Sequence, residues 1–430
     1  MKKIFAAAIF LLLFLLSCST AIAHSISNIA LIGTDSPCTK QTIAWKTDLG
    51  EASLLEYLPQ ADAVHLSESG IRRTPVMRLL FTNPGAVQCN SVRLGDLQPD
   101  TTYTYRIGSH TKTGIEWTEP RSFHTASRSE EAFSFLVFGD SQNAMPSNPD
   151  YSIWHETLTK AYARHPEARF FVNLGDLVEE GQNYPHWSAW FQAAQSVIDK
   201  IPAYPVSGNH ETYRPRIYGS VEPIAFERQW PVPTNGPTDL KGTTYAFDYG
   251  PVHFIVLNTQ DQEYRRFGRF GLFSRLARKA PASELNGPDI LTEQKNWLES
   301  NLRAASQPWK IILQHKPLYP LSTKRSSPEL QAAFTPIDEA NHADLILSGH
   351  EHAAAHSDSR PLCYIAGQSG GKIPSKVKQQ PPYTFFSANN GQPDYLFINV
   401  TPAQIRIQCL TQDGQLLDEY TLKKAADNIQ

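Results

Sequence analysis

Five short polar clusters between residues 139 and 352 carry side chains that could do chemistry. Each cluster directly follows an apolar stretch and contains at least one potential metal ligand. The clusters are Gly139-Asp140-Ser141-Gln142, Gly175-Asp176-Leu177-Val178-Glu179, Gly208-Asn209-His210-Glu211, Gln314-His315-Lys316-Pro317 and Gly349-His350-Glu351-His352. Carboxylate, amide and imidazole groups together can hold hard or borderline metal ions. A single Gly-Asp or Asn-His pair after a strand is usually only a turn, so the argument depends on the whole series.

The apolar stretches before these clusters read as strands of an α/β domain. We predict strands at Phe133–Phe138, 169–174, 203–206, 252–258, 310–313 and 343–347, and helices at 151–164, 187–200, 292–305 and 327–340. Strands that alternate with helix-length amphipathic segments indicate an α/β layer architecture. Open sheets of this kind place their sites at the carboxyl ends of strands. We therefore expect the five clusters to converge.

The first third of the chain has a different pattern. Short alternating strands are predicted at 29–33, 41–46, 52–57, 76–81, 91–94, 102–107 and 121–125, separated by Gly, Pro, Asp and Asn. Seven such strands favour a β-sandwich. The period of two in a strand places Tyr103 and Tyr105 on the same face. A domain boundary is expected between Ala126 and Glu131.

Both regions resemble known families. The segment from Leu97 to Tyr105 resembles the tyrosine-corner region of fibronectin type III domains. The ordered series of five clusters resembles the motifs of the calcineurin-like metallophosphoesterases, and within them the chain is most similar to the purple acid phosphatases, as are segments 245–259 and 294–298. The resemblance implies an all-β sandwich at 24–128 followed by an α/β domain with four α/β/β/α layers at 131–425.

The resemblance also implies a metal centre and a reaction. Two metal ions (Fe, Mn or Zn) would share the carboxylate of Asp176. The first ion would be held by Asp140, Asp176 and His352, and the second by Asp176, Asn209, His315 and His350. His210 would be the general acid or the hydrogen-bond donor to the transition state, with Glu211 or another acid as its partner. The activity implied is phosphate-ester hydrolysis by a metal-activated hydroxide.

Two positions depart from the family pattern. Purple acid phosphatases carry a tyrosine three residues after the bridging aspartate, and this chain has Glu179 there, so the purple chromophore should be absent. The wider superfamily often has Asp-x-His in the first motif, where this chain has Gln142. The amide oxygen of Gln142 is a candidate replacement for that imidazole. Whether Gln142 or Glu179 ligates a metal stays open, and Mg is a further candidate for the first ion. His356 and Asp344, near the last motif, are interpreted as structural or as partners that orient a metal-ligating imidazole.

The amino terminus reads as an export signal. Lys2 and Lys3 precede an apolar run from Ile4 to Leu16, and the A-x-A sequence ending at Ala23 predicts cleavage after residue 23. An alternative is a lipoprotein acylated at Cys18. No spanning segment is expected after removal of the signal. Export permits disulfides, and we predict the pairs Cys38–Cys89 and Cys363–Cys409, with buried thiols as the alternative.

The substrate is predicted less closely than the reaction. The formal net charge of −3 offers no electrostatic footprint for a nucleic-acid polymer. The resemblance implies a small phosphorylated substrate, and a phosphomonoester first. The alternatives are a phosphodiesterase for nucleotides or phospholipids and a catalytically decayed adhesion or binding protein. The basic segment Arg265 to Lys279 is either a lid for a polyanionic substrate or a solvated helix. The P-loop, zincin and nucleophile-elbow motifs are absent. The oligomeric state is left open.

Overall fold

The computed structural model describes residues 26–81, 85–129, 132–142, 147–214, 217–220, 222–260, 290–322, 325, 327–374 and 377–424. The predicted signal with Cys18 and the basic segment Arg265 to Lys279 lie outside the described residues. Within the described ranges, no helix is both long and apolar enough to cross a bilayer.

The first domain is a β-sandwich with more strands than the sequence predicts. Its elements are β1 (Ser27–Ile32), β2 (Gln41–Thr47), β3 (Ser53–Pro59), the short helix α1 (Leu66–Ser69), β4 (Ile71–Arg73), β5 (Val76–Phe81), β6 (Ala86–Leu94), β7 (Thr102–Thr111), β8 (Gly114–Trp117) and β9 (Arg121–His124). The sequence analysis missed β4 and β8, which are short and lack buried side chains. The sandwich itself is confirmed.

The two tyrosines of β7 point into the core of the sandwich. Tyr103 and Tyr105 are both buried, and the ring of Tyr103 stacks on Phe123 with centroids 5.3 Å apart. The hydroxyl of Tyr103 accepts a hydrogen bond of 2.9 Å from the backbone N–H of Gln98. This bond ties the loop before β7 to the core, and the predicted common face of the two tyrosines is confirmed.

The second domain alternates strands and helices before it ends in antiparallel strands. Its strands are β10 (Phe133–Phe138), β11 (Phe171–Asn173), β12 (Ala203–Pro205), β13 (Tyr213–Arg214), β14 (Ile217–Ser220), β15 (Tyr245–Tyr249), β16 (Val252–Val256), β17 (Trp309–Leu313), β18 (Leu345–Ser348), β19 (Ala354–Ser357), β20 (Leu362–Ile365), β21 (Tyr383–Ser387), β22 (Asp394–Val400), β23 (Gln404–Thr411) and β24 (Leu416–Lys423). Its helices are α2 (Ser152–Arg164), α3 (Tyr184–Ile198), α4 (Ile224–Gln229), α5 (Ile290–Ala304) and α6 (Pro328–Ala340).

Two large sheets form the centre of the second domain. One has the order β15-β16-β17-β18-β20-β19-β21, and the other has the order β24-β23-β22-β10-β11-β12-β1-β2-β6-β5. Phe135 of one sheet meets Phe254 of the other edge to face, with centroids 5.5 Å apart. Leu298 of α5 and Phe334 of α6 pack on the outer face of the first sheet, and Trp154 of α2 packs beside Phe138 of the second. The predicted four layers are confirmed.

The larger sheet runs through both domains. Strand β1 of the sandwich lies parallel to β12, with Ile32 opposite Ala203, and the N–H of Gly33 donates to the carbonyl of Ala203 over 2.9 Å. The sandwich therefore continues the sheet that carries the first three polar clusters.

Both predicted disulfides are wrong. Cys38 lies in the turn before β2. Cys89 of β6 lies opposite Lys46 of β2, and Lys46 is about 17 Å along that strand from its first residue at the usual rise per residue. Cys363 packs with the helices on the outer face of its sheet, whereas Cys409 lies in the core between the two sheets. A disulfide requires the two Cα atoms to lie within roughly 7 Å and the Cβ atoms to face each other.

Candidate metal centre

The predicted ligands lie where strands of the two sheets end. Asp140 follows β10 and Asp176 follows the neighbouring parallel strand β11, while His350 and His352 follow β18 of the other sheet. These four residues have positive φ angles of 50°, 53°, 74° and 56°. Such angles are uncommon for residues other than glycine and tend to occur at functional sites. The backbone therefore turns sharply at the end of each strand and directs the side chains inward.

One group of potential ligands combines Asp140, Asp176 and His352. One ligand atom from each residue lies within 4.8 Å of the others, and all three residues are buried. The Nε2 atom of His352 is 3.4 Å from Oδ1 of Asp140. Oδ2 of Asp140 accepts a hydrogen bond of 2.8 Å from the N–H of His350, which leaves Oδ1 to face the site.

A second group combines Asp176, His315 and His350 with the same spacing. Nδ1 of His315 donates to the carbonyl of Leu174 over 2.7 Å, so Nε2 is directed into the site, 3.2 Å from Oδ1 of Asn209. An oriented second nitrogen of this kind is usual for a metal-ligating imidazole. Asp176 belongs to both groups, and Asn209 lies beside the second.

The electrostatics of the site keep Asp176 ionised. Burial acts in the opposite direction, but the imidazoles of His315 and His210 hold the pKa of Asp176 well below its usual value. Burial alone would lower the pKa of His315, but the Asp176 carboxylate raises it to about 9. Burial, followed by the charge of His315, lowers the pKa of His350 well below its usual range. The centre thus holds a buried carboxylate that only a cation or an imidazolium can compensate.

Unpartnered buried oxygens show that this pocket fits metal ions. Among the described residues, Oδ1 of Asp140 and Oε1 of Gln142 are buried without a hydrogen-bond partner. The amide of Gln142 is turned so that Nε2 donates to Oδ2 of Asp176 over 3.3 Å. Buried acceptors without a donor are costly, and a cation in the first group would satisfy both of them. The donor set of carboxylate, amide and imidazole suits Mn, Fe, Zn or Mg.

His210 is held at the edge of the site by a residue that the sequence analysis did not name as its partner. Its Nδ1 atom donates to the backbone carbonyl of Glu179 over 2.7 Å, so Nε2 faces the metal-ligand groups, 3.8 Å from Oδ2 of Asp176. Burial lowers the pKa of His210, although Asp176 opposes this effect. Of the two predicted alternatives, Glu211 is not the partner of His210, whereas another acid is close to it: Oε1 of Glu179 lies 3.8 Å from Nδ1 of His210.

Glu211 instead braces the loop after β11. Its Oε2 atom accepts hydrogen bonds from the N–H groups of Asp176 and Gly208 over 2.9 and 2.7 Å. Its Oε1 atom accepts from Leu177 and Val178 over 2.9 and 3.3 Å. Burial, reinforced by Asp176, raises the pKa of Glu211 to about 8. One side chain thus ties the Gly-Asp cluster to the Gly-Asn-His cluster.

Gly208 allows these two clusters to touch. A Cβ atom at this position would lie 2.3 Å from both the backbone nitrogen and Oδ1 of Asp176, which is far closer than van der Waals contact. The Gly-Asn-His motif therefore needs glycine at its first position, because the backbone of the third cluster approaches Asp176 too closely for a side chain to fit.

Glu179 does not join either metal-ligand group. Its carboxylate forms an ion pair with Lys372, with Nζ to Oε2 at 3.0 Å. Nζ of Lys372 also lies 3.4 Å from Nε2 of His210. The loop that carries this lysine is fixed to the first cluster, since the N–H groups of Ser369 and Gly370 donate to the carbonyls of Gly139 and Asp140 over 2.8 and 3.2 Å.

The sequence analysis missed Lys372 because it follows no strand directly. It lies seven residues beyond the end of β20 (Leu362–Ile365), after the pair Gly370-Gly371, and a lysine near glycines is common in loops. Only its position in space marks it as part of the site.

The two residues interpreted as structural are engaged away from the metal-ligand groups. His356 donates from Nδ1 to Oδ2 of Asp418 over 2.8 Å and stacks on Phe385. Asp344 accepts from the N–H of Lys310 over 3.0 Å and pairs with Lys424. These contacts give both side chains a role in packing.

Comparisons with known proteins agree with this arrangement. Residues 133–354 match the family model of the calcineurin-like phosphoesterases, and residues 26–125 match that of the purple acid phosphatase N-terminal domain. Probable purple acid phosphatase 20 of Arabidopsis thaliana is 25% identical over 333 residues, which cover 76% of this chain and 67% of that protein. Acid phosphatase type 7 of Danio rerio is 24% identical over 405 residues, which cover 80% of each chain.

A solved structure supports the fold over nearly the whole chain. A purple acid phosphatase from seeds of yellow lupin, Lupinus luteus, superposes with a TM-score of 0.74 at 16% identity, covering 94% of this chain and 76% of that one. Its likeness extends across the sandwich and the α/β domain. With more than half of its residues matched by the catalytic family model, this chain belongs to the calcineurin-like phosphoesterases, a family of metal-dependent phosphoester hydrolases, and carries the purple acid phosphatase N-terminal domain in front.

Proposed function

We propose that this chain is a dinuclear-metal phosphatase that hydrolyses small phosphate monoesters. The observation that carries the proposal is the position of Asp176, which belongs to two separate groups of buried ligands. A carboxylate shared by two sites is what a two-metal phosphoesterase needs to hold its ions a few ångströms apart. The named relatives are acid phosphatases, which favours a monoester as the substrate.

The proposed ligands are those that the sequence predicts. Asp140, Asp176 and His352 would hold the first ion, with the amide oxygen of Gln142 as an additional donor. Asp176, Asn209, His315 and His350 would hold the second. When bound, the two ions supply the positive charge that lowers the pKa of a water molecule and neutralises the phosphate oxygens.

The side chains at the edge of the site would orient the substrate. Nε2 of His210 faces the metal-ligand groups while Nδ1 keeps its proton in the bond to the Glu179 carbonyl. In the doubly protonated form of the ring, Nε2 would donate to a phosphate oxygen or give its proton to the leaving group. The ammonium of Lys372, 3.4 Å away, would contact the same phosphate. Glu179 holds this lysine in place through their ion pair. Because Glu179 stands where purple acid phosphatases carry a tyrosine, the purified protein should lack the purple absorption band.

Turnover of two aryl esters tests the proposal. We expect the metal-loaded chain to hydrolyse 4-nitrophenyl phosphate faster than bis(4-nitrophenyl) phosphate and Asp176→Asn to lose both activities. Faster cleavage of the diester would instead establish a phosphodiesterase. Absence of both activities in a metal-loaded chain would favour a decayed binding protein.

Lys372 provides a sharper test of monoester preference. Lys372→Met should raise KM for the doubly charged monoester by roughly ten- to a hundredfold, the equivalent of ~1.5–3 kcal/mol for a charge-assisted hydrogen bond, and much less for the singly charged diester. The double variant Lys372→Met/Glu179→Gln removes the carboxylate that would otherwise be left unpaired. Lys378→Met, an exposed lysine of the same loop, is the matched control. Equal effects on both esters would contradict a role for Lys372 in holding the phosphate.

We also propose that the chain is exported. The support is the leader at residues 1–23, either as a cleaved signal or with Cys18 as a lipid-anchored terminus. Acylation of the mature terminus, read by mass spectrometry, distinguishes the two forms.

A further inference from the structure

A second charged cleft lies where the sandwich meets the α/β domain. Its volume is about 250 Å³, and its lining residues are Arg78, Arg93, Glu227, Arg228, Trp230, Pro231, Val232, Thr234, Lys241 and Gly242. Two of its arginines come from strands β5 and β6 of the sandwich, and the rest of the lining comes from α4 and the segment after it. None of these residues belongs to either metal-ligand group.

The lining of the cleft carries more positive than negative side chains. It has three arginines and one lysine against the single carboxyl group of Glu227. Burial lowers the pKa of Arg78, and the nearby charges of Arg228 and Arg93 lower it further. In the part of the chain that the structure describes, none of the four cations forms an ion pair. Like charges repel each other, and an anion bound in the cleft would reduce this repulsion.

The one acid of the cleft compensates little. Glu227 is half-buried, and burial, followed by the charge of Glu222, raises its pKa to about 7 despite the opposing effect of Arg228. About half of the Glu227 carboxyl groups are therefore protonated near pH 7, and the four cations of the cleft stay in excess.

A hydrogen bond between the two domains holds one of the guanidinium groups of the cleft. Nη2 of Arg93 donates to the backbone carbonyl of Val232 over 3.1 Å, which holds this guanidinium in place. Trp230 is buried on the wall, and within the described residues its indole N–H has no acceptor. Fixed guanidinium groups can bind phosphate oxygens through two parallel hydrogen bonds, and clefts between domains are common binding sites.

We propose that this cleft is a second ligand site, separate from the metal centre, that binds an anion carrying a diphosphate group. A diphosphate matches the charge of four cations more closely than a single phosphate does. The same group occurs in inorganic diphosphate and in nucleoside diphosphates, and the two sources are told apart by the probes below. The inference does not depend on the proposed activity, because no ligand of the metal centre lines the cleft.

Isothermal titration of the full chain with imidodiphosphate, a non-hydrolysable diphosphate, tests the site. The parent is Asp176→Asn, which removes the shared ligand of the metal centre and so isolates the cleft. We expect binding of one imidodiphosphate per chain, at least tenfold weaker after Arg78→Gln/Arg228→Gln. Arg128→Gln, which alters an exposed arginine outside the cleft, should leave the affinity unchanged. A methylene analogue of a nucleoside diphosphate, titrated in parallel, identifies the source: tighter binding than imidodiphosphate indicates a nucleotide, and equal or weaker binding indicates the inorganic ion.

Two results would overturn the site: no binding of either probe to the parent, or the same loss of affinity in Arg128→Gln as in the cleft variant. Arg78→Gln/Arg228→Gln in the otherwise native chain should not lower its melting temperature, because two like charges are removed, and should keep its turnover of 4-nitrophenyl phosphate. Failure of the proposed phosphatase activity would leave the titration result intact, so the two proposals can be judged separately.

Discussion

Glu211 illustrates how a residue that touches no metal can determine whether a metal centre forms. Its two carboxylate oxygens accept four backbone N–H groups from the loop of Asp176 and from Gly208. These bonds satisfy backbone N–H groups that would otherwise be buried without a hydrogen-bond partner. The position of the bridging aspartate therefore depends on a side chain beneath it.

Replacing Glu211 with glutamine tests this role. The new amide nitrogen is a donor and would face the two backbone N–H groups that the replaced oxygen accepts, so two hydrogen bonds are lost. We expect Glu211→Gln to lower the melting temperature by the equivalent of about 1–3 kcal/mol and to lower the metal content, as measured by elemental analysis. Glu119→Gln, the same change at an exposed glutamate outside the site, is the control. Unchanged metal content in Glu211→Gln would contradict the bracing role.

At the residue scale, the sequence predicts candidate ligands but not the residues that support them. All six expected ligands lie in or beside the two groups because each follows a strand end, a position that sequence patterns indicate. The supports act through space: Lys372 lies far along the chain from Glu179, and Glu211 binds the backbone instead of His210. No local pattern records such contacts, so only the folded structure reveals them.

At the scale of elements, the regular segments follow the predicted pattern closely. The predicted helix at 151–164 is observed as Ser152–Arg164, and the strand Phe133–Phe138 has the predicted bounds. Other elements were not predicted: β13 to β15, helix α4 and, in the last third, β19 to β24. Segments such as β20 (Leu362–Ile365) are short and buried on both faces, so they lack the alternation that identifies a half-buried strand.

Helix α6 contains a buried acid whose charge should make stability depend on pH. Burial raises the pKa of Asp338 from 3.8 to about 8, and within the described chain its Oδ1 atom has no hydrogen-bond partner. The folded state keeps a proton that the unfolded state loses above about pH 4. The contribution of Asp338 to stability therefore falls as the pH rises from about 4 to 8.

Asp338→Asn removes this ionisation while preserving the shape of the side chain. We expect the variant to match the native chain near pH 4 and to be more stable near pH 8 by about 1–3 kcal/mol, the usual cost of an unsatisfied buried group. Thermal melting at the two pH values measures the difference. Glu339→Gln, at the exposed neighbouring position, should change stability far less. A constant difference at both pH values would contradict the burial argument.

At the scale of the whole molecule, one sheet joins the two domains. Strand β1 pairs with β12, and Asp199 at the end of α3 accepts from the hydroxyl of Tyr105 over 3.3 Å and from Nε of Arg121 over 3.1 Å. The sequence predicts both domains but not this junction. The alternation of a strand shows which face is buried, but it does not show which strand will lie beside it.

Metal stoichiometry tests most directly whether two metal ions share Asp176. The native chain, loaded with Mn or Zn and freed of excess metal by gel filtration, should retain two ions per chain by elemental analysis. Asp176→Asn should retain far fewer, because both groups lose a ligand. Asp358→Asn, at an exposed acid outside the site, should behave like the native chain. Two ions per chain in Asp176→Asn, or one or none in the native chain, would contradict the account.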